Sequence, residues 1–185
     1  KAKVFFAMGG NFAAATPDSH RTADALRRCD LTVQVSTKLN RSHLVHGRQA
    51  LILPCLGRSE IDRQVSGNQA VSVEDSMSMV HLSSGMKTPA SEHLLSEPAI
   101  VARLAAVTLP KSKTPWLQLV EHYDHIRDRI AAVIPEFENF NTRVRVPGGF
   151  HLYHPGRHRE FPTGSGRANF YPHSLGTSAA KPENG

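Results

Sequence analysis

The sequence has few cysteines and lacks any long hydrophobic run, and each shortage argues against a class of protein. Its 185 residues include only Cys29 and Cys55, without Cys-x-x-Cys spacing. This disfavours a disulfide scaffold, a zinc ribbon and a local iron–sulfur site, and predicts buried free thiols in a reducing compartment. Since no run approaches the roughly 20 apolar residues of a membrane span, we expect a soluble, cytoplasmic protein without a membrane partner.

Two nucleotide-binding fingerprints are also missing. Gly9 and Gly10 follow the first apolar run without the spacing of G-x-G-x-x-G, and no Gly-Lys-Ser/Thr follows them. The second predicted strand ends without the acidic residue that binds the ribose hydroxyls of NAD. An NAD-dependent dehydrogenase is therefore disfavoured.

Charge and histidine content leave several partners open. The net charge of +6 is compatible with nucleic acid or with a phosphate-bearing cofactor. Among eleven histidines, His122 and His125 lie three residues apart, but no third ligand is evident nearby. We therefore predict no metal site in this chain.

The first 55 residues alternate strands with helical segments. We predict strands at residues 4–8, 31–35 and 50–53, the first covered on both faces. Thr16 is the predicted N-cap of a helix with Pro17 at its first position, and residues 42–47 predict a short helix. This order predicts an α/β fold with a Rossmann-like parallel sheet and helical crossovers.

The remaining chain predicts one more strand pair, two helices and an irregular arm. We predict strands at residues 69–74 and 77–80, a helix from Ser96 to Pro110, and one long helix from Thr114 to Pro135. After residue 147, prolines and glycines interrupt any regular spacing of apolar residues that would indicate a helix or a strand. The predicted segments are an α/β domain (1–110), a helical extension (111–146), an irregular arm (147–173) and a disordered tail (174–185).

Two loops carry the candidate binding residues. Gly9, Gly10 and Asn11 follow the first strand, where glycines let backbone approach a ligand and a helix start favours an anion. The second strand is followed by the polar segment 36–43, Ser-Thr-Lys-Leu-Asn-Arg-Ser-His. Because the carboxyl ends of neighbouring parallel strands form the ligand crevice, we expect the two loops to lie side by side.

Six segments carry a likeness to a known family: Met8-Gly9-Gly10-Asn11, 36–43, 50–54, 73–79, 91–98 and 161–170. Together they resemble the molybdopterin oxidoreductases, in particular the formate-dehydrogenase-like α-subunit branch. The resemblance covers residues 1–173.

This resemblance implies a piece of a longer enzyme that binds molybdopterin guanine dinucleotide with molybdenum. The iron–sulfur cluster and the metal-ligating residue would belong to other domains of the parent, which are also the expected partners. The implied cofactor-binding residues are Gly9, Gly10, Asn11, Ser36, Thr37, Lys38, Asn40 and Arg41. No catalytic residue is assigned to this chain, which is expected to be inactive when isolated. The aspartate that pairs with guanine in many relatives is absent, since Val35 and Ser36 occupy that region.

A basic, non-enzymatic nucleic-acid-binding module is the alternative. The arm from Arg143 to Arg167 interleaves basic and aromatic residues, an arrangement that suits stacking on single strands.

Overall fold

The computed structural model describes residues 2–173, and the chain divides into two compact units, Lys1–His151 and Leu152–Gly185. The tail predicted to be disordered, residues 174–185, lies outside the described residues. The segment boundaries predicted at residues 110 and 146 remain predictions.

The first unit begins with a three-stranded parallel sheet. Its strands are β1 (Val4–Met8), β2 (Leu31–Ser36) and β3 (Gln49–Pro54), in the order β1-β2-β3. Two helices, α1 (Phe12–Ala15) and α2 (Ser19–Arg27), connect β1 to β2, and a 3₁₀ helix (Arg41–Leu44) lies between β2 and β3. The α/β fold with a Rossmann-like parallel sheet is therefore confirmed.

The sheet is covered unevenly. Phe5 packs against Phe12 of α1 with ring centroids 5.0 Å apart, and Leu26 and Cys29 are buried. The prediction that β1 is covered on both faces is wrong for the described residues, since Val4 is 57% exposed and Phe6 38%. The physical reason is that side chains alternate between the two faces of a strand, so Val4 and Phe6 lie on the face opposite to Phe5, the residue that α1 covers.

The helix after the glycine turn is capped by a different residue from the one predicted. Asp18, not Thr16, is the N-cap of α2, and its carboxylate accepts a hydrogen bond from the Arg21 amide at 2.9 Å. Thr16 ends α1 instead, and its hydroxyl contacts that of Thr22 at 2.7 Å. A carboxylate at the N-cap also interacts favourably with the helix dipole.

The rest of the first unit confirms the predicted strand pair and the helix after Ser96. β4 (Arg63–Gln64) pairs with β5 (Gly67–Asn68), and a second sheet has the order β6-β7-β8. Its strands are antiparallel: β6 (Val71–Glu74), β7 (Met79–Ser83) and β8 (Phe150–His151). The helices are α3 (Glu97–Thr108, N-cap Ser96), α4 (Trp116–Glu121), α5 (Asp124–Val133) and α6 (Phe140–Arg143).

The long helix predicted from Thr114 to Pro135 is wrong, because the structure divides it into α4 and α5. His122 has extended backbone, with φ −147° and ψ 126°. The backbone groups released at the break are bonded elsewhere: the Glu121 carbonyl accepts from the Ser66 amide at 3.1 Å, and the Tyr123 amide donates to Gln69 Oε1 at 2.9 Å. Tertiary hydrogen bonds therefore replace helical ones at this point.

The second unit, from Leu152, has little regular structure within the described residues. A 3₁₀ helix spans Pro155–His158, and Tyr153 stacks on His158 with ring centroids 5.2 Å apart. Across residues 2–173, no helix combines the length and apolarity needed to cross a membrane.

Candidate functional site

The glycine turn after β1 requires glycine for conformational reasons. Gly9 and Gly10 have φ of +65° and +73°, in the left-handed region that L side chains rarely adopt. The Gly9 amide donates to the Val35 carbonyl at 2.8 Å, which joins the turn to the end of β2. Among the described residues, the amides of Gly10 and Asn11 make no hydrogen bond. Successive unpaired amides in such a turn form a concavity that suits an anion.

The polar loop after β2 lies against this turn, as the sequence predicted. Asn40 Nδ2 donates to the Gly10 carbonyl at 2.8 Å. The Ser42 hydroxyl donates to Asn11 Oδ1 at 2.9 Å and accepts from the Ala13 amide at 3.0 Å. We call residues 9–11 and 36–41 the sheet-edge site, because both loops follow strands at their carboxyl ends.

Asn11 and Asn40 are engaged in holding the two loops together. Besides its bond to Gly10, Asn40 accepts from the Ser42 amide through Oδ1 at 2.9 Å. Their hydrogen bonds within the protein make them positioning residues of the site, and their direct contact with a ligand remains a prediction. Ser42, only 2% exposed and outside the predicted set, is the residue on which both loops converge.

The cations of the sheet-edge site face solvent. Lys38 and Arg41 are exposed, and within residues 2–173 no hydrogen bond or ion pair engages either side-chain cation. Ser36 donates its hydroxyl to the Lys38 carbonyl at 2.7 Å, which shapes the loop. The loop therefore presents two unpaired positive charges.

A cleft of about 810 Å³ opens beside these loops. It begins at the carboxyl ends of the three parallel strands, with Met8, Thr37 and Leu56, and continues to the start of α3 at Glu97. Its inner wall is mostly apolar and includes Val101 and Trp116. Clefts of this size hold small ligands and cofactors. Of the predicted site residues, Thr37 lines the cleft itself.

Sequence reasoning missed the charged residues of the cleft. These are Arg58, Glu60, Asp62 and Glu97. The Glu60 carboxylate accepts from the amides of Gly57 at 2.6 Å and Ala90 at 2.7 Å, and these hydrogen bonds lower the pKa of Glu60. Through these two hydrogen bonds, Glu60 connects the segment that follows β3 with the segment that precedes α3. No local sequence pattern signals such a contact.

A buried polar network lies behind Asp62 and Ser96, which line the cleft. Tyr123, 2% exposed, donates its hydroxyl to Asp62, and this hydroxyl also lies 2.7 Å from Ser96 Oγ. Burial, followed by the hydrogen bond to Asp62, raises the pKa of Tyr123. Tyr123 therefore stays protonated and acts as a structural donor at neutral pH.

A second polar cluster lies next to it along the chain, in α5. The Arg127 side chain, 5% exposed, pairs with Asp124 at 2.5 Å, and Asp124 also pairs with Arg145 at 2.6 Å. We call Asp62, Ser96, Tyr123, Asp124 and Arg127 the anchor network. Burial alone would raise the pKa of Asp124, but hydrogen bonds from Arg145 and Arg127 outweigh it and lower that pKa.

The chain is similar to proteins much longer than itself. It is 58% identical over 172 residues to a protein of Mycobacterium tuberculosis (strain ATCC 25618 / H37Rv) named an uncharacterized oxidoreductase. It is 54% identical over 170 residues to protein YdeP of Escherichia coli (strain K12). Each alignment covers 92% of this chain and 22% of the relative, so the chain spans 22% of the length of these curated relatives. No family model and no solved structure matches the chain.

Proposed function

We propose that this chain is a cofactor-binding domain of a molybdopterin-dependent oxidoreductase similar to formate dehydrogenase, and that it holds the guanine dinucleotide of the cofactor. The observation that carries the proposal is the sheet-edge site, in which a glycine turn and a cationic loop are hydrogen-bonded side by side at the mouth of a cleft. The oxidoreductase name of a relative 58% identical to the chain supports the same class.

The residues present fit a dinucleotide. A Cβ added at Gly10 would meet no atom within 4 Å, so the outer side of the turn is open to a ligand. The unpaired amides of Gly10 and Asn11, with the cations of Lys38 and Arg41, provide hydrogen-bond donors for phosphate oxygens. The cleft beyond them has room for a base.

In this proposal the chain positions the cofactor and performs no chemical step. The glycine turn and Lys38 neutralise the diphosphate, while Asn40 and Ser42 keep the two loops at a fixed distance. When bound, the molybdenum centre supplies two-electron redox chemistry, which no residue of this chain provides. The metal-ligating residue and the iron–sulfur cluster belong to other domains of the parent in this proposal, and those domains are the partners of the chain.

Calorimetric titration of the 185-residue chain with GDP, a partial mimic of the dinucleotide, tests the proposal. We expect binding that weakens as ionic strength rises, because exposed cations carry part of it. Lys38→Ala should weaken GDP binding about tenfold, since one charge-assisted hydrogen bond is lost. Lys113→Ala, at an exposed lysine outside the site, is the matched control and should have no effect. Absence of GDP binding, or equal losses in the two variants, would contradict the proposal.

A further inference from the structure

One face of the parallel sheet is covered by the helices that connect its strands. On that face, Phe5 of β1 packs against Phe12 of α1. Gln34 of β2 lies on the same face, and its Nε2 donates to the Ser42 carbonyl of the 3₁₀ helix at 2.7 Å. Because side chains alternate along a strand, the opposite face carries the even-numbered residues of β1 and the odd-numbered residues of β2 and β3. We call this opposite face the open sheet face.

The open sheet face has the composition of a buried surface. Eight of its nine residues are apolar, and Gln49 is the exception. Yet Val4 is 57% exposed, Phe6 38% and Leu51 50%. A parallel sheet ordinarily has both faces covered, which is why its strands are rich in apolar residues. These three side chains therefore lack the cover that their strands require.

The described elements cover only part of this face. Val33 and Val35, in the central strand, are buried. The start of α3 lies near the carboxyl end of β1, where Met8 and Pro98 line the same cleft. The exposed apolar area is therefore on the two outer strands, β1 and β3.

The direction of the strand connections indicates where the missing cover comes from. The chain passes from β1 to β2 and then to β3, and right-handed crossovers in one direction place their helices on one face. Helices on the opposite face must come from another part of the polypeptide. The segment aligned with this chain is 22% of each relative, so most of those polypeptides lies outside it. A segment of the same polypeptide also has a high effective concentration, which favours it over a second copy.

We propose that helices from the part of the parent polypeptide outside this chain pack on the open sheet face and bury Val4, Phe6 and Leu51 in a domain interface. These helices present an apolar stripe, since the face offers almost no side chain for hydrogen bonding. This inference rests on the proposed function in taking the chain to be part of a longer oxidoreductase, and it does not involve the sheet-edge site.

Hydroxyl-radical footprinting tests whether the open sheet face is covered. The 185-residue chain is compared with full-length YdeP of Escherichia coli (strain K12), and each rate is normalised to that of the urea-unfolded protein. We expect Val4, Phe6 and Leu51 to react at least about fivefold faster than the aligned residues of YdeP, because exposed apolar side chains become buried. Tyr123, 2% exposed within this chain, is the internal control and should react slowly in both proteins.

Photo-crosslinking identifies what covers the face. Benzoylphenylalanine is placed in YdeP at the position aligned with Leu51, and we expect cross-links to peptides of the same polypeptide outside the aligned segment. The position aligned with Ile52 is the matched control, because Ile52 is 48% exposed but lies on the opposite face of the sheet. It should not give the same cross-links.

The outcomes separate this proposal from its alternatives. Equal radical reactivity in the two proteins would overturn it. A 185-residue chain that sediments as a dimer with a protected open sheet face, or cross-links between two YdeP copies, would assign the face to a second copy and also overturn it. Protection in YdeP without GDP binding by the 185-residue chain would leave this interface standing and contradict the nucleotide site. GDP binding with equal reactivity would do the reverse.

Discussion

The sheet-edge site and the anchor network use polar residues in opposite ways. In the anchor network, Tyr123 and Arg127 are nearly inaccessible to water and their polar atoms are bonded within the protein. Next to the sheet-edge site, buried Ser42 joins the two loops, and within the site Lys38 remains exposed and unpaired in the described part of the chain. The comparison indicates that one region stabilises the fold and the other presents charge to solvent, where we propose that a ligand binds.

The largest expected effect is at the anchor network. Asp124→Asn should lower the free energy of unfolding by about 3 kcal/mol, because it leaves the buried Arg127 guanidinium without its counter-charge. Urea unfolding measures the change. Asp24→Asn removes an exposed ion pair with Arg27 and should cost less than about 0.5 kcal/mol. Equal losses in the two variants would contradict the role given to Asp124.

Acid should remove part of the stability that Asp124 contributes to the fold. The pKa of Asp124 in the folded state lies below its ordinary value of 3.8, so its contribution is complete above pH 3.8 and is lost as the pH falls through the folded-state value. We therefore expect the stability difference between wild type and Asp124→Asn to shrink below pH 3.8. Unfolding curves at several acidic pH values check this, and a constant difference would disagree with the lowered pKa.

Tyr123→Phe should have the next largest effect. The variant removes the hydroxyl that donates to Asp62 and contacts Ser96, and should cost about 2 kcal/mol because polar groups are left unsatisfied. Phenylalanine preserves the packing of the ring, so the loss reports the hydrogen bonds. Thermal unfolding measures it. Unchanged stability would mean that water replaces the hydroxyl between Asp62 and Ser96.

Ser42→Ala extends the comparison to the sheet edge. It removes the hydroxyl that joins Asn11 to the Ala13 amide and should lower stability by about 1 kcal/mol. It should also weaken GDP binding, because the two loops lose their connection. Urea unfolding and calorimetry measure the two effects, and a stability loss with unchanged binding would show that the loops hold their positions without Ser42.

The smallest effect on stability should come from the exposed cation of the site. Lys38→Ala should change the free energy of unfolding by less than about 0.5 kcal/mol, since no partner in residues 2–173 engages its side-chain ammonium. Together with its expected effect on GDP binding, this separates a binding residue from a structural one. A loss of stability as large as that of Ser42→Ala would mean that Lys38 stabilises the fold.

Local patterns predicted the parallel sheet well. The apolar runs at residues 4–8, 31–35 and 50–53 match β1, β2 and β3 to within one residue at each end. The adjacency of the glycine turn and the polar loop also followed from sequence, because it is a consequence of parallel strand order. Both inferences required only the pattern of residues within a segment and the order of neighbouring segments along the chain.

The break in the long helix and the contacts of the cleft were missed because distant residues decide them. Apolar periodicity continues through His122, yet hydrogen bonds to Ser66 and Gln69 interrupt the helix there. The partners of Glu60 and Tyr123 are likewise brought together only by folding. The charges of the cleft, including Glu97, were therefore inaccessible to pattern analysis.

A nuclear magnetic resonance titration with GDP tests the central claim most directly. We predict that GDP shifts the amide signals of Gly10, Asn11 and Lys38 in the sheet-edge site, and leaves those of Arg127 in the anchor network unchanged. Saturable shifts confined to the sheet-edge site and the cleft would support the account. Unchanged signals at the glycine turn with saturating GDP would contradict it.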